Sequence, residues 1–172
     1  RVIEARDETT AAIGRKTPVL VKIAPDLDEA ALDDIAAVVA ARGADGLIVS
    51  NTTLSRSGVF GPTATEPGGL SGKPLFERST IVLAKMRERV GRGLPIVGVG
   101  GVMTGEDAYL KIAAGANLVQ VYSGLVYEGP QLVERILAGL SAHLTRAGMK
   151  RLSDLVGTRT DDWAARDPDA GR

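Results

Sequence analysis

The chain has 172 residues, 21 of them basic and 21 acidic, so its formal charge is zero; 44% are apolar and 24% charged. That is the balance of a folded globular protein, with no basic excess to attract nucleic acid or an anionic surface. No apolar run reaches the ~20 residues of a membrane span, and the lack of cysteine excludes disulfides, thiolate chemistry and cysteine metal sites.

Residues 1–16 read as helix with no capping residue at the start, and residues 1–17 are expected to be the tail of an element begun upstream. Residues 19–24 form an apolar, β-branched run; after it Asp28 is a good N-cap, and Ala31, Leu32, Ile35, Ala36 and Val39 recur at helical spacing up to Gly43. Residues 46–50 are a second strand, followed by a glycine-rich, helix-poor stretch to Pro74 and a helix over 75–90. Residues 95–99 are a third strand, with Thr104 capping a helix through Ala114. A fourth strand over 118–122 precedes Gly129-Pro130, which opens a helix to about Ala147. Residues 158–172 are polar, contain Asp167-Pro168-Asp169, and are predicted to be a frayed tail.

The strands are apolar at nearly every position, the pattern of parallel strands covered on both faces. Four βα units in succession predict an α/β fold with a parallel sheet, either a small open sheet or one half of an eight-unit (β/α)8 barrel. The uncapped start favours the second, so the expected fold is the C-terminal half of a TIM barrel, with about four βα units over 18–157.

Ligands of such folds bind at the carboxyl ends of the strands. Those ends carry Lys22, then Ser50-Asn51-Thr52-Thr53, then Gly98-Val99-Gly100-Gly101, then Tyr122-Ser123-Gly124. Glycine turns after two neighbouring strands fit a phosphate pocket, although glycines also simply end strands. They are not a dinucleotide fingerprint, because Met103 stands where the third glycine belongs, and Pro74 after Gly72-Lys73 excludes a P-loop. Lys22 interrupts an apolar strand, where a buried ammonium calls for an anionic partner. Asn51, Thr52 and Thr53 suit a planar, polar substrate, or are plain turn chemistry. His143 falls on a late helix, away from the strand ends; Asp33-Asp34 and Asp161-Asp162 read as solvated faces. No Ser-His-Asp arrangement or metal-ligand spacing is present.

The strings Val21-Lys22-Ile23-Ala24-Pro25-Asp26-Leu27, Ser50-Asn51-Thr52-Thr53 with Leu54 and Arg56, and Gly68-Gly69-Leu70-Ser71-Gly72-Lys73-Pro74-Leu75, followed by Gly98-Val99-Gly100-Gly101 and Val119-Gln120-Val121-Tyr122-Ser123-Gly124, resemble the dihydroorotate dehydrogenases over residues 18–140, in particular the class 2, quinone-reducing, membrane-associated form. The resemblance implies a (β/α)8 barrel with FMN at the strand ends, oxidising dihydroorotate to orotate in de novo pyrimidine biosynthesis and passing electrons to a membrane quinone. By position it implies flavin contacts from Lys22, Ser50, Gly72, Gly101, Tyr122 and Ser123, the last three around the phosphate, and substrate contacts from Asn51 and Thr52. It implies a monomer, bound peripherally to the cytoplasmic side of the cell membrane (in a bacterium) through an N-terminal extension. The family's serine base lies upstream of the first strand seen here, so the site expected of these residues has no catalytic base. An inactive half-barrel and another phosphate-binding barrel are the alternatives.

Overall fold

The computed structural model describes residues 1–170. Four parallel strands, β1 (Leu20–Ile23), β2 (Gly46–Val49), β3 (Ile96–Val99) and β4 (Leu118–Gln120), lie in chain order in one sheet. Their register runs Lys22↔Ile48, Ile48↔Val97 and Val97↔Leu118. Helices α1 (Val2–Ile13), α2 (Glu29–Arg42), α3 (Phe76–Val90), α4 (Gly105–Ala113), α5 (Ser123–Glu128), α6 (Gln131–Arg146) and α7 (Thr160–Ala164) complete the fold.

Local chemistry sets most of the boundaries. The Asp28 side chain accepts from the Ala31 amide, and α2 ends on Gly43 in the left-handed conformation. Thr104 and Asp107 form a reciprocal capping box at the start of α4. Two apolar clusters follow from the helical periodicity. One joins Leu32 and Val39 of α2 and Ile81, Leu83 and Met86 of α3 to Leu47, Val49 and Ile96 of the sheet; the other joins Ala108 and Ile112 of α4 to Leu132, Ile136 and Leu140 of α6. At the α4–α6 crossing Gly105 and Gly139 face each other, and a Cβ on Gly139 would lie 2.8 Å from the Gly105 Cα, so only glycine permits that approach.

Several expectations need correction. β1 and β4 are the outer strands of the sheet, so their apolar residues are not covered on both faces: β1 buries only Ile23, and Leu118 is 62% exposed. Lys22, expected to be buried, is exposed among the described residues. α5 begins directly at Ser123, where no helix was expected. Residues 158–170 of the polar segment expected to fray are not frayed, and the last two residues of that expectation, 171 and 172, lie outside the described residues. Within the segment, the Arg159 amide donates to Ala113 O (2.8 Å), Thr160 Oγ1 donates to Ala114 O (3.2 Å), and Trp163 is buried at 5% exposure with its ring edge-on to Phe76. One large aromatic docked on α3 outweighs the polar composition around it. α1, by contrast, buries no residue. It is held at its Arg6, which reaches Asp45 (2.6 Å) together with Lys16 (2.6 Å) and the Val19 amide (2.9 Å). The Lys16 ammonium and the Val19 amide hold the Asp45 carboxyl down at about 2.

Candidate active site

The carboxyl ends of the four strands enclose a cleft of about 300 Å³. Parallel pairing in uniform register brings these ends level: Lys22 on β1, Ser50 to Thr52 after β2, Val99 at the end of β3 with Gly100 to Met103 after it, and Gln120 at the end of β4 with Val121 to Gly124 after it all border the cleft. Ser71, Gly72 and Leu75 close it from the long loop that follows β2. All eight residues singled out in the sequence (Lys22, Ser50, Asn51, Thr52, Gly72, Gly101, Tyr122 and Ser123) therefore line one cavity. Lys22 is the sole charged residue of that lining, and no carboxylate faces it.

Each side chain has a definite setting. Ser50 is 1% exposed and its Oγ donates to Asn51 O at 3.0 Å. Asn51 and Thr52 are exposed at the rim; Asn51 Oδ1 accepts the Thr52 amide (3.0 Å), which leaves the amide nitrogen of the Asn51 side chain available. Ser71 Oγ and Ser123 Oγ lie 2.9 Å apart, so two hydroxyls from different elements meet at one edge. Tyr122 borders the cleft and is 77% exposed. Gly101 has φ 72°, and a Cβ there would strike the Phe76 Cβ at 2.5 Å and backbone nitrogen at 2.7 Å. The turn after β3 thus lies flat against the first residue of α3 and presents its open side to the cleft.

The surrounding loop is braced by a separate polar network, which takes Thr53 out of the substrate-facing set expected from the sequence: it is buried, does not line the cleft, and turns its hydroxyl to Asp26. Asp26, just past β1, accepts from Thr53 Oγ1 (2.5 Å) and the Leu54 amide (2.8 Å), and its other neighbour is Arg78 of α3 at 3.5 Å. Arg78 in turn donates to Pro168 O (3.0 Å) and to the Asp169 carboxylate, tying the C-terminal segment to the same network. Thr53 and Leu70 pair as an isolated antiparallel bridge, and Arg56 Nη2 donates to Glu66 O (2.8 Å) and Gly68 O (2.6 Å) across the loop. Lys73 binds Asp107 at 2.6 Å and sits 4.8 Å from the centre of the Phe76 ring, joining the Gly72 turn to the capping box of α4. The polar strings 26, 53 and 56 stood out in the sequence; their partners are far along the chain and only the fold supplies them. His143 stacks on Tyr109 and meets Glu106 at 2.7 Å, on the α4–α6 surface and away from the cleft. Among the described residues no group of acidic or histidine side chains is placed to hold a metal, and no helix is long and apolar enough to cross a membrane.

Known proteins share both the sequence and the fold. The profile of the dihydroorotate dehydrogenase family matches residues 2–144. A dihydroorotate dehydrogenase (quinone) of Rhizobium rhizogenes is 59% identical over 166 residues, and one of Chelativorans sp. is 56% identical over 166; each alignment covers 96% of this chain and 46% of the relative. A crystal structure of DHODH from Eimeria tenella in complex with ferulenol superposes with a TM-score of 0.80 at 39% identity, covering 84% of this chain and 39% of that one. The chain thus spans about half the length of the curated relatives it matches, and its four parallel βα units correspond to part of their barrel. With the family profile matched over most of its length and its strand-end motifs gathered around one cleft, the chain belongs to the dihydroorotate dehydrogenase family.

Proposed function

We propose that these residues supply the strand-end half of the flavin and substrate site of a quinone-dependent dihydroorotate dehydrogenase, which oxidises dihydroorotate to orotate for pyrimidine biosynthesis and delivers the electrons to a quinone at the cytoplasmic face of a membrane. The observation that carries this reading is the cleft itself: one lysine, a set of hydroxyls, amides and glycine turns, and no carboxylate, at the ends of four parallel strands. Such a donor set suits a ligand that combines a planar hydrogen-bonding ring with an anionic tail. FMN fits it, because the turn at Gly100-Gly101 lies flat with its open side to the cavity and no acidic group opposes a phosphate there.

FMN, when bound, supplies the acceptor for the two electrons taken from dihydroorotate. The Lys22 ammonium, on the β1 side, stabilises negative charge on the ring edge nearest it. Asn51 and Thr52 present an amide and a hydroxyl to the substrate from the rim. Gly101, Tyr122 and Ser123 would hold the phosphate end and Gly72 would line the flavin, while Leu75, Val99 and Met103 add apolar surface to the cleft. The proton leaving dihydroorotate needs a base that these residues do not furnish. Ser50 is buried and donates to Asn51 O, and Ser71 and Ser123 bond one another with no carboxylate or imidazole to activate either. That role is assigned to a serine outside these residues.

The test is the visible spectrum of the purified protein, in a chain of the relatives' full length, before and after anaerobic dihydroorotate. Flavin bands that bleach support the proposal. A protein that takes up no FMN, or one whose bound flavin stays oxidised with dihydroorotate, overturns it.

A further inference from the structure

Among the described residues Lys111 is the bulkiest fully buried side chain. It reaches from α4 toward α3 and the end of β3. Its Nζ donates to Ser79 Oγ at 2.6 Å and stands 5.1 Å from the centre of the Phe76 ring. No carboxylate pairs with it among the described residues. Asp107, one turn earlier, is engaged by Lys73 and by the amides of Met103 and Thr104. An ammonium placed this way is costly, and an apolar side chain of similar length would serve the packing better. Burial pushes its pKa well below the usual lysine range, and Asp107 opposes that only in part.

The surroundings of Lys111 give that charge a use. The Ser79 hydroxyl lies against Phe76 O (3.1 Å) and Gly100 O (3.4 Å), and a Cβ on Gly100 would come within 2.6 Å of the Ser79 Oγ. Gly101 rests on the backbone of Phe76. Gly100 and Gly101 border the cleft while Lys111 does not, so the ammonium stands behind the turn, one hydroxyl removed from it. We infer that Lys111 is the buried countercharge for a phosphate held at the Gly100–Gly101 turn, acting through Ser79 and the intervening backbone rather than by contact. The inference rests on the FMN reading above. In a dry wall the attraction between an ammonium and a dianion is weakly screened, and an anion at the turn favours the charged form that burial disfavours. Lys111 is thus a positioning residue, and its effect belongs to the phosphate alone and not to the flavin ring.

That distinction gives the experiment. FMN and riboflavin, which lacks the phosphate, are titrated separately into flavin-free protein of full length, following the quenching of flavin fluorescence. The wild type is expected to prefer FMN. Lys111→Met keeps the length and removes the charge. It is expected to weaken FMN binding by about tenfold or more while changing riboflavin binding less than about twofold. Equal losses for both ligands, or an unchanged preference for FMN, overturn the inference and leave the flavin reading standing. Ser79→Ala, which keeps the lysine, is expected to lower the FMN-to-riboflavin preference about threefold. Should Lys111→Met not fold, an unchanged preference in Ser79→Ala overturns the inference by itself. A wild type that binds neither flavin overturns the functional reading, and this inference falls with it.

Discussion

Trp163 offers the most direct test of how the structure is held together, because composition and tertiary packing make opposite statements about its segment. It is the one tryptophan of the chain, 5% exposed, its ring 6.3 Å from Phe76 in an edge arrangement, with the Arg166 guanidinium 4.1 Å from its ring centre. Replacing a buried tryptophan by alanine costs ~3–5 kcal/mol in transfer and cavity terms. Loss of the aromatic pair adds about 0.5–1.5 kcal/mol. One effect opposes these: Trp163 Nε1 is buried with no hydrogen-bond partner, and removing an orphaned donor returns roughly 1–3 kcal/mol. The expected net destabilisation of Trp163→Ala is therefore about 2–4 kcal/mol. Trp163→Phe keeps a ring against Phe76 but deletes the orphaned N–H together with two ring carbons, so relief of the unpaired donor offsets part of the lost packing and its cost should stay below that of Trp163→Ala, at about 1–2 kcal/mol. Urea unfolding followed by far-ultraviolet circular dichroism measures both, the m-value serving to check that the same cooperative unit unfolds. If Trp163→Ala stays within ~0.5 kcal/mol of wild type, as surface substitutions do, α7 is not part of that unit and the docking argument fails.

Asp45 gives a pH-dependent counterpart. Its carboxyl sits at about 2 in the folded protein against an ordinary 3.8, so its contribution is present above pH 4 and disappears as the pH falls toward 2. The difference in urea midpoint between wild type and Asp45→Asn should accordingly be flat from pH 7 down to about 4.5 and close below it; a difference that persists at pH 2 refutes the pairing. Arg56→Ala removes the bonds to Glu66 O and Gly68 O, and is expected to expose residues 57–68 to limited proteolysis with a global loss below about 2 kcal/mol; an unchanged digestion pattern contradicts the brace. Lys22→Ala in the full-length protein should slow flavin reduction by dihydroorotate by about 10²-fold, and unaltered reduction kinetics remove it from the flavin site. Asn51→Ala should weaken orotate binding by about 1–2 kcal/mol in a titration, and an unaltered affinity removes it from the substrate site.

Much of this architecture is legible in local chemistry. Asp28, Gly43 and Thr104 are caps whose action needs only their immediate neighbours, and the helices they bound fall where the periodicity puts them. The parallel pairing of the four strands follows from alternation of strand and helix, their sequential order comes from the fold, and once they pair in register the residues at their ends share one cleft. The start of α5 was illegible because Ser123 sits in a glycine-flanked string that reads as turn; a six-residue helix leaves too short a periodic signal.

By itself the sequence determined what depends on short range: the strand and helix alternation, the caps, the glycine turns, and the polar residues that end each strand. Tertiary structure alone decided what depends on partners distant in the chain. Trp163 is buried because α3 offers Phe76 to receive it, and Arg78 binds Asp26 and Pro168 O from opposite ends of the chain. Lys111 reads as an ordinary charge on an amphipathic helix until the fold closes Ser79 and Phe76 over it. Hydrophobic periodicity reports which face of an element turns inward, but the identity of what it meets there, and hence the cost or use of a buried charge, comes only from the packing.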